Sequence, residues 1–234
     1  VIAAGFLANG TSYLFKLDAS GSVVWQKSYN ISSLHDMQIA KDNFIYLVGA
    51  NGATYVLAKL SSEGIPIWSI GFQSSDIRLL EAMRIVADGS IYVTGYASFL
   101  ATIEDPVIIK IDSNGNILWS YTYGSGAGDP EYNFTIVANP NGGAVIGGKR
   151  YALDTGTGGY DPWLMFVDTD GNINASKDIV YNRNKGGEIN VLFYNFGGDL
   201  FVGGSAFNAI ANQSAILLKF DNTGALQWEK SFGN

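Results

Sequence analysis

Apolar positions along this chain alternate with polar ones in short runs, and the runs are cut by polar clusters that end in glycine. Residues 108–120, IIKIDSNGNILWS, show the pattern: an apolar run, the cluster DSNG, and a second run closing on Trp119. Period-two alternation bounded by Asp, Asn and Gly predicts two antiparallel strands joined by a tight turn. Asp can bond the backbone two residues on, and Gly takes the positive φ that closes the turn.

The same hairpin recurs. Aligned on the turn, the chain reads FKLDASGSVVW (15–25), AKLSSEGIPIW (58–68), IKIDSNGNILW (109–119), MFVDTDGNINA (165–175) and LKFDNTGALQW (218–228). Gly21, Gly64, Gly115, Gly171 and Gly224 hold one position, preceded by Asp18, Asp112, Asp168, Asp221 or Ser61. Lys16, Lys59, Lys110 and Lys219 stand two residues before the Asp or Ser. The fourth unit has Phe166 there, and Ala175 in place of Trp. Losing both together predicts that Lys and Trp touch across the hairpin, the ammonium lying over the indole.

Upstream of each hairpin lies an apolar strand ending in Gly: IAAG (2–5), IYLVG (45–49), IYVTG (91–95), AVIG (144–147) and LFVG (200–203). Before it, in all units but the first, comes another: DMQIA (36–40), EAMRIVA (81–87), EYNFTIVA (131–138) and EINVLFY (188–194). Four short strands per unit, with no helical period between them, predict an all-β fold: a β-propeller of five blades of four antiparallel strands. The blades span about 1–30, 31–73, 74–124, 125–182 and 183–234 of a single domain, and the first lacks its innermost strand. An open edge needs a partner, so three readings stand: a longer natural chain, a strand given by a neighbouring subunit, or a stable three-stranded blade.

Composition narrows the function. The net charge of −7 argues against a nucleic-acid surface, no apolar run is long enough for a membrane span, and VIAAGF lacks the basic start of a signal peptide. The absence of Cys removes disulfides, Cys-ligated metals and thiol nucleophiles. Five N-x-[ST] sequons occur. Asn133 falls in a predicted strand and Asn174 near a turn, which leaves Asn9, Asn30 and Asn212 as glycan acceptors and points towards export.

Candidate chemistry lies in two places. Asp36, Glu81, Glu131 and Glu188 head the innermost strands and are expected to ring one channel mouth, either capping backbone N–H groups or holding a cation such as Ca²⁺. The long loops of blades three to five gather Tyr96, Phe99, Tyr151, Tyr160, Trp163 and Phe207, an aromatic face for a ligand or partner. His35 is the only His, which excludes His-clustered metal sites.

The pattern in IIKIDSNGNILWSYTYG, with ANPNGGAVIGG and YDPWLMFVDTDGNI, resembles the repeat-type β-propellers of secreted and cell-surface bacterial and archaeal proteins. These are distantly similar to pyrroloquinoline-quinone-type propellers, although Asp and Trp here stand one residue closer. No catalytic acid, calcium constellation or quinone-stacking pair of that class can be placed, so the resemblance carries no dehydrogenase activity. It implies a non-catalytic adhesion, assembly or protein-interaction module at the cell surface, without a required cofactor. Three alternatives remain: a glycan-binding propeller, a carbohydrate-active enzyme using the mouth carboxylates, and a self-assembling surface-layer or filament subunit exchanging strands at the incomplete blade.

Overall fold

The computed structural model describes residues 1–6, 11–73, 77–100, 103–124, 131–152, 159–173, 179–180, 186–207 and 213–233. They form nineteen strands and no helix. Sheet I has three strands, β1 (Ile2–Phe6), β2 (Ser12–Leu17) and β3 (Val23–Tyr29). Sheet II holds β4 (Ser33–Ile39), β5 (Ile45–Asn51), β6 (Thr54–Leu60) and β7 (Pro66–Gln73). Sheet III holds β8 (Leu79–Ile85), β9 (Ile91–Leu100), β10 (Ile103–Ile111) and β11 (Ile117–Thr122). Sheet IV holds β12 (Glu131–Ala138), β13 (Ala144–Ala152), β14 (Gly159–Val167) and β15 (Ile179–Val180). Sheet V holds β16 (Gly187–Tyr194), β17 (Leu200–Phe207), β18 (Gln213–Phe220) and β19 (Leu226–Phe232). Within each sheet the strands lie in chain order and pair antiparallel.

Sheets I to V pack face to face in succession, and the second strands of sheets II and III are buried on both faces. Ile45, Leu47 and Val48 of β5 and Ile91, Tyr92 and Val93 of β9 are all buried. Leu14, Ile45 and Leu60 fill the junction of sheets I and II, and Leu57, Met83 and Ile109 that of II and III. Tyr92, Ile146 and Met165 fill the junction of III and IV, and Val145, Ile189 and Val202 that of IV and V. None of these clusters joins sheet V to sheet I among the described residues.

The repeated hairpin links the third strand of each complete sheet to the fourth. Asp18 Oδ1 accepts the backbone N–H groups of Ser20 and Ser22, each at 2.9 Å, and the Gly21 N–H returns to the Asp18 carbonyl at 3.2 Å. Asp112, Asp168 and Asp221 repeat this, and Ser61 Oγ does the same at 3.2 Å. The five turn glycines sit at φ between +67° and +93°, as the sequence predicts.

Register sets Lys beside Trp in every hairpin that has both: Lys16–Trp25, Lys59–Trp68, Lys110–Trp119 and Lys219–Trp228. The ammonium does not lie over that indole, which corrects the expected cation–π pair. Lys59 Nζ is 5.3 Å from the Tyr46 ring centre and Lys110 Nζ is 5.4 Å from that of Tyr92. Lys and Trp instead reach together into the next sheet. Lys59 Nζ and Trp68 Nε1 donate to the Ser113 carbonyl at 3.0 and 3.2 Å, and Lys110 Nζ and Trp119 Nε1 both donate to that of Thr169 at 3.0 Å. Lys16 reaches the Ser62 carbonyl at 3.1 Å and the Glu63 carboxylate at 2.8 Å. The Tyr29 and Tyr123 hydroxyls donate to the Gly64 and Gly171 carbonyls at 2.7 and 2.6 Å. A tight-turn carbonyl has no ladder partner, and these donor side chains from the preceding sheet supply one.

Candidate functional site

The structure gathers tyrosines where the second strands of sheets III and IV end. Tyr96 (β9), Tyr132 (β12), Tyr160 (β14) and Tyr151 (β13) form a chain of edge-on rings, with centroids 5.6, 5.5 and 5.4 Å apart in that order. Edge-to-face packing at these distances is the favoured aromatic geometry. All four rings are half-buried, so the chain forms a partly exposed ledge among the described residues. Three of its members are predicted from sequence. Tyr132 is not, because it lies inside a strand whose alternation reads as core.

Lys149 of β13 rises in the middle of this ledge. Its Nζ is 5.3 Å from the Tyr132 ring centre, 5.2 Å from that of Phe134 and 5.0 Å from that of Tyr160, and 3.4 Å from Glu188 Oε2. Rings on several sides and one carboxylate hold the charge at the junction of sheets IV and V. Lys149 also has a second acidic neighbour: burial pushes the Glu81 carboxyl up, and the Lys149 charge draws it partly back. A Lys–Arg pair within the otherwise apolar and glycine-rich AVIGGKRYA is the sequence signal for this cluster.

Trp163 lies on the other face of sheet IV, buried between sheets III and IV, with the Arg150 guanidinium carbon 5.9 Å from its ring centre. It is a core residue and no part of the ledge. The side chains of Phe99 and Phe207 lie outside the described residues, as do Asn9 and Asn212. Asn30 is exposed at the end of β3. Asn133 is fully buried and bonds Thr94 Oγ1 through its side-chain amide.

The four strand-heading carboxylates do not occupy one position. The first strand of every four-stranded sheet carries a β-bulge, after Leu34, Leu80, Asn133 and Ile189, and the bulged residues are His35, Glu81, Phe134 and Asn190. Against that mark Asp36 follows the bulge, Glu81 is the bulge, and Glu131 and Glu188 precede it. Each is engaged differently. Asp36 Oδ2 accepts the Met83 N–H at 2.9 Å and Arg84 Nη1 at 3.3 Å, tying sheet II to sheet III. Glu131 is buried against Arg150 Nε at 2.9 Å. Glu188 takes Lys149 and the Asn190 amide, the latter at 3.0 Å. Among the described residues no group of three or more His, Asp or Glu is placed to hold a metal ion. His35 spans the same inter-sheet junction, with Nδ1 2.5 Å from the Leu80 carbonyl and Nε2 3.0 Å from Ser33 Oγ.

At the opposite ends of these strands a cavity of about 500 Å³ opens between the turns of sheets II, III and IV. Ala40, Val86, Ala138 and Pro140 line it, with Lys41 and Asp42 as its only charged residues.

No protein-family model matches the chain, and no curated protein matches it. Solved structures, a β-propeller among them, do match. The Dos1 propeller superposes with a TM-score of 0.53 at 12% identity, over 94% of this chain and 54% of that one. A protein from Lactobacillus plantarum gives 0.58 at 13% identity, over 95% of this chain and 64% of that one. Cobalt-substituted Synechocystis apocarotenoid oxygenase gives 0.58 at 13%, over 100% and 58%. This chain therefore has a propeller-like fold and spans between half and two thirds of those structures. At such identities the likeness extends to the fold alone.

Proposed function

We propose that the five sheets are five blades of a β-propeller and that the chain works as a non-catalytic interaction module of an exported or cell-surface protein. The tyrosine ledge carries this reading. Tyr96, Tyr132, Tyr160 and Tyr151 offer a half-open aromatic surface across two blades, stiffened by their mutual contacts and by Lys149. Tyrosine gives large contact area at low entropic cost and is enriched at protein interfaces, so the partner is a protein. The carboxylates support binding over hydrolysis. A glycosidase sets two carboxyl groups about 5–10 Å apart around a sugar and a water, whereas Glu131 is buried in an ion pair and Asp36 is bonded to the neighbouring backbone.

The test is to screen the immobilised protein against protein, peptide and polysaccharide arrays, beside the Tyr132→Ala/Tyr160→Ala variant. A protein or peptide ligand that the variant binds at least tenfold more weakly supports the reading. Retention of polysaccharides alone would replace it with a glycan-binding propeller. Release of reducing sugar from a bound polysaccharide would overturn its non-catalytic part.

A further inference from the structure

Four residues share one place in the fold. His35, Glu81, Phe134 and Asn190 are the bulges of β4, β8, β12 and β16, the first strands of sheets II to V. Three of them are engaged. His35 bonds the Leu80 carbonyl and Ser33 Oγ, Asn190 donates to Glu188 Oε1 at 3.0 Å, and the Phe134 ring centre lies 5.2 Å from Lys149 Nζ. Glu81 differs. Among the described residues its half-buried carboxylate has no hydrogen-bond or ion-pair partner. Lys149 is the cation whose charge acts on it, and that ammonium is already held by Glu188 at 3.4 Å and by the rings of Tyr132, Phe134 and Tyr160.

Two carboxylates, Glu81 and Glu188, thus stand against the single ammonium of Lys149, and a negative charge is left over. It lies beside the ledge. The β8–β9 ladder pairs Leu79, two residues before Glu81, with Tyr96, which opens the chain of rings through Tyr132, Tyr160 and Tyr151. β8 and β12 are neighbours, so Tyr132 flanks the same place from sheet IV. These rings accept positive charge, since Lys149 Nζ already sits 5.3 Å from the Tyr132 centre and 5.0 Å from that of Tyr160. Burial without a bonded donor is costly to a carboxylate, and it pushes the Glu81 carboxyl up. A cation carried on a flat body satisfies the carboxylate and the rings together.

We propose that the partner of the tyrosine ledge presents an arginine side chain, whose guanidinium bonds the Glu81 carboxylate and lies against Tyr96 and Tyr132. This assignment rests on the ledge being a protein-binding surface. Arginine suits the place better than lysine. Its planar fork gives two parallel N–H bonds to one carboxylate, it stacks on aromatic rings, and it sheds water more readily than an ammonium. The net charge of −7 draws a basic segment towards the molecule from a distance. An acidic or neutral segment would bury Glu81 further and bring it no counter-charge.

Isothermal titration with two peptides tests this, one alternating Gly and Arg, the other alternating Gly and citrulline, which keeps the shape of arginine and loses its charge. Wild type binds the arginine peptide at least tenfold more tightly, the scale of one hydrogen bond to a charged group. Glu81→Gln keeps the side-chain size and weakens that binding at least tenfold. Asp170→Asn removes the same charge from an exposed turn at the opposite end of β14 and leaves the binding unchanged. Circular dichroism melting checks that each variant folds. Equal weakening by Glu81→Gln and Asp170→Asn would overturn the proposal, as would failure to bind the arginine peptide. Equal binding of both peptides, lost in Tyr132→Ala/Tyr160→Ala, would overturn the arginine and keep the ledge. Binding that needs Glu81 but survives Tyr132→Ala/Tyr160→Ala would overturn the ledge itself, and the proposal with it.

Discussion

The Asn141 side-chain amide donates to the Asn222 carbonyl at 3.1 Å, bridging the IV–V junction. Asn222 follows its turn Asp221 as Ser113 follows Asp112, so this is the carbonyl that Lys and Trp serve at the II–III and III–IV junctions. Blade IV has Phe166 where the others have Lys, and that ring packs into the apolar core with Val145 and Leu218. The donor has moved from the third and fourth strands to the turn between the first two. Asn141→Ala should destabilise the protein by about 0.5–1 kcal/mol, the net worth of one hydrogen bond. Hydrogen exchange should quicken at residues 221–225 and stay unchanged at 112–116.

Trp25 and Trp119 hold equivalent positions but differ at Nε1. Trp119 donates to Thr169, whereas Trp25 Nε1 is buried without an acceptor, and Lys16 and Lys27 reach the Ser62 and Glu63 carbonyls without it. Replacing each by Phe keeps most of the apolar contact and removes the N–H. Trp119→Phe should cost about 1 kcal/mol beyond its packing loss. Trp25→Phe should cost less, since it deletes a buried donor that makes no bond. Paired urea titrations that ranked the two in reverse would contradict this account of the joint.

Acid should loosen the turns. Asp18, Asp112, Asp168 and Asp221 are held below the usual carboxylate range, chiefly by side-chain donors Ser20, Asn116, Asn172 and Thr223, and then by backbone N–H groups of the turn. A carboxyl whose folded pKa is lowered stabilises the fold above its unfolded pKa, and that contribution fades as pH falls through the lowered value. Stability should therefore drop from about pH 4 downward, the ordinary range for Asp. Asn195 already builds a similar turn, its Oδ1 accepting the Gly197 and Asp199 N–H groups at 2.9 Å. Asp112→Asn should thus keep the turn and reduce the acid-side slope of stability against pH.

The hairpins were legible in the sequence because Asp, Gly and Trp recur at fixed spacing and each has a local task. The joint between blades was less so. Lys and Trp vanish together from blade IV, which suggests a shared role, but a pair within one hairpin and a pair reaching outward leave the same trace. Only the register and the Ser113 and Thr169 carbonyls separate the two. The register of Asp36, Glu81, Glu131 and Glu188 is not legible in the sequence, because all four stand near strand starts and the bulges that set them apart leave no sequence mark. The ledge was half legible: loop-end tyrosines stand out, and Tyr132 and Lys149 within strands do not.

The glycines that close the second strands mark the register that the carboxylates obscure. Gly49, Gly95, Gly148 and Gly204 pair with Leu34, Leu80, Asn133 and Ile189, the residues just before each bulge. The bulge folds the backbone of the first strand over the second, and a Cβ on Gly95 would overlap the Leu79 carbonyl, while one on Gly148 would overlap that of Tyr132. Backbone on both sides leaves nothing that can rotate away. Gly148→Ala should therefore destabilise by about 3 kcal/mol or more, the upper end for overpacking, and shift the Lys149 cluster that follows it. Gly71, on an outer strand, would place its Cβ 3.2 Å from a Thr54 methyl, which can move. Gly71→Ala should cost under about 1 kcal/mol, near the range of surface changes. Thermal melts of the two variants should separate a fold pinned by bulge and glycine from one that merely tolerates small residues there.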